Sequence, residues 1–299
     1  MDNKDIAQEL KKLTKISNVG LPSGIRFTIE YKTLRMDISK AGISANMQEN
    51  NSAFEGWAIC LKAWLPEKIQ KVFIRWDTAA PFEKNKQLHY NRFQYRVRKF
   101  IETYAWAESG SSLDFNLSGE NPVVNIPTKP AKKSAEREEA KLEREFVAKH
   151  KETQTYDVIN HQLPVGLFNT IKSDESEIMP RRSSQIDIWA IKNNILYIFE
   201  LKYGKNKKVG IISELMFYVN IMNDIKNRVI QYPQNAADNK HRDFEKLYEA
   251  FGKGAIQTID GQFLTEEIHP LISESVITLM NDSPVLRKEH ITYSHIKIL

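Results

Sequence analysis

Alternation and helical spacing divide the chain into segments of two kinds. Ile25, Phe27, Ile29 and Tyr31 alternate with Arg26, Thr28 and Glu30, and Leu34, Met36 and Ile38 repeat the pattern. Residues 25–38 therefore read as a strand hairpin or meander. Phe54, Trp57, Ala58, Leu61, Trp64 and Leu65 share a helical face that Pro66 ends. Residues 1–18 read as a short polar helix, 71–76 as a strand and 87–107 as a long helix. Phe93, Val97, Phe100, Ile101 and Tyr104 form the inward side of that helix. Residues 113–126 read as a strand pair around Ser-Gly-Glu-Asn.

The segment 127–135, PTKPAKKSA, has no periodicity and is rich in Pro and Lys, which marks a domain boundary. It separates an N-terminal α+β domain, 1–128, from a second domain, 129–299. The second half opens with a charged helix over 134–151, with Ser134 as its N-cap. One or two short strands follow in 155–170, then a polar loop over 172–182. Two apolar runs over 184–203 are split by Asn193-Asn194. Helices are expected over 211–230 and 241–252, and late strands over 255–259, 275–280 and 291–299.

Composition narrows the class without choosing a function. The 299 residues are 41% hydrophobic and 27% charged, as in ordinary globular chains. The single cysteine, Cys60, excludes an internal disulfide and fits a reducing compartment. No apolar run approaches the length of a membrane span. The polar start, MDNKDIAQELKKL, does not read as a secretory signal. A cytoplasmic protein without membrane contact is expected. The net charge of +5 is compatible with a polyanionic partner.

The chemistry gathers at Asn193-Asn194. Asn tolerates positive φ, so these two residues suit a type I′ hairpin turn. With that turn, Lys192 faces Ile195, Asp187 faces Glu200 and Gln185 faces Lys202, all four polar groups on one side of the sheet. Like charges directly opposed destabilise a strand pair. An ion pair of Lys202 with one carboxylate is one resolution, although it leaves two carboxylates for one lysine. A divalent cation held by Asp187, Glu200 and the Leu201 carbonyl is the other, and that oxygen set suits Mg2+. Lys202 beside such an ion would serve an attacking water in phosphodiester hydrolysis.

Asp187 on one strand and Glu200-Leu201-Lys202 on the next, across an apolar hairpin, resemble the PD-(D/E)XK nuclease superfamily. The proline of that motif is replaced by Ile186. The resemblance covers roughly residues 134–230 and extends to the strand expected near 275–280. It implies an α/β fold with a restriction-endonuclease-like core, a central mixed sheet flanked by helices. It also implies a Mg2+-dependent nuclease, with Mn2+ as a substitute, acting on DNA in bacterial defence, restriction or repair. The alternative is a catalytically silent nucleic-acid-binding or assembly subunit with the same fold. Members often carry a glutamate on the preceding helix. Glu143 and Glu145 are the candidates, Glu145 being preferred for its spacing from Leu142, and a solvated helix face is the plainer reading of both. Some relatives carry Gln-x-x-x-Tyr on the next helix, where this chain has Glu214 and Tyr218. Glu214 reads equally as a site residue or as an acid favouring a helix N-terminus. Gln185 either orients Lys202 or fills a strand end.

Basic residues supply candidate nucleic-acid contacts. Between Lys84 and Lys99 stand six Lys or Arg and no acid. Arg92, Arg96 and Lys99 recur at helical spacing beside Tyr90 and Tyr95, which reads either as a phosphate-tracking stripe or as a solvated face. Arg181 and Arg182 precede the Asp187 strand, and Lys205, Lys207 and Lys208 follow Lys202. The N-terminal domain is expected to bind substrate or a protein partner. No His/Cys cluster suggests zinc, and no Walker A or dinucleotide fingerprint appears.

Overall fold

The computed structural model describes residues 1–16, 19–77, 82–117, 121–128, 138–170, 173–182, 184–204 and 208–298. In chain order it forms α1 (Asn3–Thr14), β1 (Ile25–Glu30), β2 (Thr33–Ile38), α2 (Lys40–Ile43) and α3 (Phe54–Trp64). Then come β3 (Lys71–Trp76), α4 (Lys84–Thr103), β4 (Ala107–Ser109), β5 (Val123–Val124) and α5 (Glu138–Glu152). β6 (Val158–Pro164), β7 (Leu167–Phe168), β8 (Glu177–Met179), β9 (Gln185–Lys192) and β10 (Ile195–Lys202) follow. The chain closes with α6 (Gly210–Lys226), α7 (Phe244–Gly252), β11 (Thr258–Thr265), α8 (Glu274–Asn281), α9 (Pro284–Glu289) and β12 (Ile291–Lys297). Mixed sheets flanked by helices make this a mixed α/β protein.

Two compact units result, and they interleave along the chain. The first comprises Met1–Asn116, Lys208–Glu214 and Ile268–Lys288; the second holds Leu117–Lys207, Leu215–Glu267 and Glu289–Leu299. A single cut near residue 128 therefore does not separate them, and the proposed linker falls mostly on residues 129–137, outside those described. The late pieces belong to the first unit through specific bonds. Trp64 Nε1 donates to the Leu271 carbonyl at 2.8 Å, Tyr104 OH to that of Met280 at 2.7 Å, and Ser283 Oγ to that of Thr103 at 2.6 Å.

In the first unit the sheet order is β1-β2-β3-β4, with β1–β2 antiparallel and the other two pairings parallel. Its inward residues, among them Phe27, Met36 and Ile74, are fully buried. The rings of Phe54 on α3 and Phe93 on α4 meet edge-on at 5.4 Å, and Trp76 meets Phe93 at 5.1 Å. Cys60 lies within this core, and burial pushes its thiol pKa up. The β1–β2 turn is made by Tyr31 (φ 48°) and Lys32 (φ 61°), so Tyr31 stands at the tip rather than in a strand.

In the second unit a five-stranded sheet runs β12-β11-β10-β9-β6. β9 is antiparallel to both neighbours, while β10, β11 and β12 are mutually parallel. α5 covers one face: Val147, Ile188, Phe199 and Leu201 share a buried cluster with Leu142 and Phe146 against it. α6 covers the other, because a Cβ on Gly261, the register partner of Ile198, would stand 2.8 Å from Val219 Cγ2. Only glycine lets the helix sit that close.

Three expected strands differ. Residues 275–280 form α8, because Val276 and Met280, one helical turn apart, supply its buried side. The strand after α6 is β11, which runs to Thr265 through Asp260, Gly261 and Gln262, residues that break an apolar pattern. Of the pair expected over 113–126, among the described residues only Val123–Val124 pairs, and its partner is β7. The loop over 172–182 also contains β8.

Candidate active site at a break in the strand ladder

The turn has the expected geometry. Asn193 (φ 51°) and Asn194 (φ 65°) are both left-handed, as a type I′ turn requires. Ile195 pairs with Lys192, and the register continues to Phe199 opposite Ile188. The next positions are Asp187 and Glu200. There the ladder between β9 and β10 stops, and the Leu201 N–H donates to Asp187 Oδ2 at 2.8 Å.

Asp187 also lies outside the ladder on its other side. β6 pairs with β9 from Val158↔Ile191 to His161↔Ile188 and again at Leu163↔Ile186 and Pro164↔Gln185, skipping Gln162 and Asp187. Gln162 has φ 55°, a conformation costing about 1–2 kcal/mol for such a residue. Arg242 secures it, donating from Nη1 to the Gln162 carbonyl at 3.0 Å and from Nη2 to Oε1 at 2.8 Å. The β9–β10 ladder thus ends beside one carboxylate, and β6 misses a single rung there before its pairing resumes.

Glu200 continues the same face one position beyond the ladder. Its side chain is 2% exposed, and Lys202 Nζ, 17% exposed, donates to Oε1 at 2.5 Å. The ion-pair resolution of the hairpin's charges is therefore present between these two residues. Gln185 is exposed, and its backbone N–H donates to the hydroxyl of Tyr218 at 3.4 Å, so this residue ties β9 to α6 through its main chain. Glu214 is buried in the α6 turn that belongs to the first unit; Tyr218 is buried in the second.

On α5 the order of the two glutamates is reversed. Glu145 is exposed, 3.8 Å from Lys141, whereas Glu143 is buried with Oε2 3.7 Å from His161 Nδ1. Spacing from Leu142 favoured Glu145, but the buried stripe runs through Glu143 and Val147. Glu145 therefore does not join the carboxylates of the hairpin: it lines the opposite face beside Phe146 and Leu201.

The basic candidates separate sharply. Arg92 and Arg96 are 1% and 2% exposed, so neither tracks phosphate. Arg96 Nε donates to Glu55 Oε1 at 2.8 Å, and its Nη2 also binds Glu55; Ser213 Oγ donates to the same carboxylate at 2.8 Å. Arg92 Nη2 donates to Asn46 Oδ1 at 3.0 Å and to His89 Nδ1 at 2.9 Å. Arginine only donates, so that His89 nitrogen accepts and the ring is neutral. Burial, then the nearby Arg92 charge, lowers the His89 pKa to about 4. Lys99 is half-buried over the Tyr95 ring at 5.6 Å. Arg181 is held by Asp174 at 2.5 Å and Glu177 at 3.5 Å, which offsets its charge. Arg182 and Lys208 are exposed, while Lys205 and Lys207 lie outside the described residues.

One acid escaped the sequence reading. Asp260 stands on β11 opposite Tyr197, and Gln262 Nε2 donates to its Oδ2 at 2.8 Å. Desolvation raises its carboxyl pKa, while hydrogen bonds from Gln262, Thr292 and Ser294 act the other way. The polar spacing Asp260-x-Gln262 was its only signal.

Among the described residues no group of three or more His, Cys, Asp or Glu forms a metal cage. Asp187, Glu200 and the Leu201 carbonyl are the oxygen donors available at the break, a set that fits Mg2+ because that ion keeps several waters. Among the described residues no helix is long and apolar enough to cross a membrane. Comparison with family models, curated proteins and solved structures finds no match for this chain.

Proposed function

We propose that the second unit is a Mg2+-dependent nuclease of the PD-(D/E)XK kind, acting on DNA. The observation that carries the reading is the end of the β9–β10 ladder at Ile188 and Phe199, with Asp187 and Glu200 the next residue on each strand. The sheet order, with β9 the one antiparallel strand and a helix on each face, supports a restriction-endonuclease-like core. Asp187, Glu200 and the Leu201 carbonyl would hold the ion, which supplies Lewis-acid activation of a phosphodiester and its attacking water. The Leu201 N–H fixes the Asp187 carboxylate, and burial of Glu200 keeps bulk water from one side of it. Lys202 holds the water or a phosphate oxygen and offsets the negative charge that develops there. Exposed Arg182, in the segment before β9, would meet a phosphate backbone.

The test is cleavage of plasmid DNA with Mg2+ and with EDTA by the wild type, Asp187→Ala and Lys202→Ala. The reading predicts nicking only by the wild type and only with metal. Equal nicking by all three proteins sinks it. A second reading, a nucleic-acid-binding subunit without turnover, is favoured by the Lys202–Glu200 contact, in which the lysine already neutralises the acid. That reading predicts salt-dependent DNA binding with no metal-dependent cleavage.

A further inference from the structure

Behind the β10 motif, on the face covered by α5, lies a cavity of about 380 Å3. That volume is in the range of small-ligand sites, roughly 300–1,000 Å3. Phe146, His150, Tyr156, Leu201 and Ile296 are among its lining residues. The Phe146 and His150 rings stack at 4.1 Å, and Tyr156 stands 5.6 Å from His150. A flat ring entering here meets both aromatic and aliphatic surface.

The polar groups specify more. His150 Nδ1 is 2.9 Å from the Phe146 carbonyl, which accepts only, so this nitrogen carries the proton. In the neutral ring Nε2 is then an acceptor, suited to an exocyclic amine. Lys149 and Lys297 line the cavity, are exposed and make no ion pair among the described residues. Among the described residues Glu145 is the only carboxylate in the lining, and Lys141 stands 3.8 Å from it. The remaining charge is that of two ammonium groups.

From an aromatic-lined cavity, an imidazole nitrogen left as an acceptor and two cations without an ion pair among the described residues, we infer that the cavity is a binding site for a nucleoside monophosphate unit. The base lies among Phe146, His150 and Tyr156, and the phosphate is met by Lys149 and Lys297. The unit comes either from a free nucleotide or from the 5′-phosphorylated end of a strand. The site does not depend on the proposed hydrolysis, because its residues lie on the other face of the sheet. Leu201 belongs to both, lining the cavity and donating its N–H to Asp187.

Calorimetric titration of adenosine 5′-monophosphate into the full chain, in EDTA, tests the site without metal or turnover. One equivalent is expected to bind, with adenosine and inorganic phosphate each at least about tenfold weaker. The double variant Lys149→Glu/Lys297→Glu, altered only at exposed positions, should also lose about tenfold. Competition by a 5′-phosphorylated oligonucleotide but not by its 5′-hydroxyl form identifies a strand end, and competition by neither identifies a free nucleotide. No heat at millimolar nucleotide, equal binding by the double variant, or phosphate binding as well as the nucleotide overturns the inference. Loss of the nuclease reading alone leaves these results untouched.

Discussion

The backbone N–H of Leu201 donates to Oδ2 of Asp187, the residue next to the last rung between β9 and β10, at 2.8 Å. A carboxylate thus takes a donor at the point where the strand-to-strand ladder has ended. Asp187→Asn keeps an acceptor oxygen, so it is expected to retain the fold while losing metal-dependent cleavage. Unchanged circular dichroism with undiminished cleavage would refute the role of the charge.

The Asn193-Asn194 turn fixes which residues face each other. Asn194→Val places a β-branched side chain at φ 65° and should cost about 1–2 kcal/mol. Asn194→Gly should be neutral or slightly stabilising. Urea unfolding of both variants reads the difference, and equal midpoints would contradict a left-handed turn.

Arg242 holds Gln162 in its strained conformation opposite Asp187. Arg242→Ala should let β6 close towards a regular ladder and lower cleavage by about 10–100-fold, as for misplacement from a distance. The check is single-turnover cleavage by a variant whose melting curve remains cooperative. Wild-type cleavage would mean the irregular strand has no bearing on the site.

Arg96 and Glu55 form a buried pair, so removing one partner strands a charge. Arg96→Ala is expected to destabilise the protein by about 3–5 kcal/mol. A phosphate-contacting arginine would instead show weaker DNA binding at nearly unchanged stability, and denaturant midpoints separate the two.

Two pH effects have opposite sign. His89 is proton-poor when folded, its pKa falling from 6.5 to about 4. Between those values the unfolded chain binds the proton first, so stability falls as pH drops through the window. Asp260 has a raised pKa, so the folded state holds that proton more tightly and stability falls as pH rises past 3.8. His89→Asn should flatten the acid side. Asp260→Asn should raise neutral-pH stability by on the order of 1 kcal/mol. Urea midpoints across acid to neutral pH measure both.

How much was legible depended on whether local pattern and tertiary packing agreed. The β9–β10 register could be read from the turn as far as Ile188 and Phe199, because two apolar runs and two asparagines specify it; the end of the ladder before Asp187 and Glu200 carries no such local signal. The β1–β2 turn could not, since neither Tyr31 nor Lys32 favours a left-handed conformation. β11 was hidden by Asp260, Gly261 and Gln262, whose fit comes from neighbours that no local window contains. The basic spacing of Arg92 and Arg96 looked solvent-facing because Glu55, Asn46 and His89 are remote in sequence. Glu143 was passed over for the same reason: His161, 3.7 Å from it, sits on another element.

The interleaving of the two units has a consequence for the order of synthesis. The first unit has 116 residues in its leading segment but takes its last piece from residues up to Lys288. At about 5–20 residues per second, roughly 10–35 s of translation separate the two. During that interval the acceptors at Thr103 and the surfaces awaiting Leu271 and Met280 are incomplete. Nascent chains are therefore expected to pass through a state with the first unit begun and the second largely made, each finished only when residues 268–299 have been added.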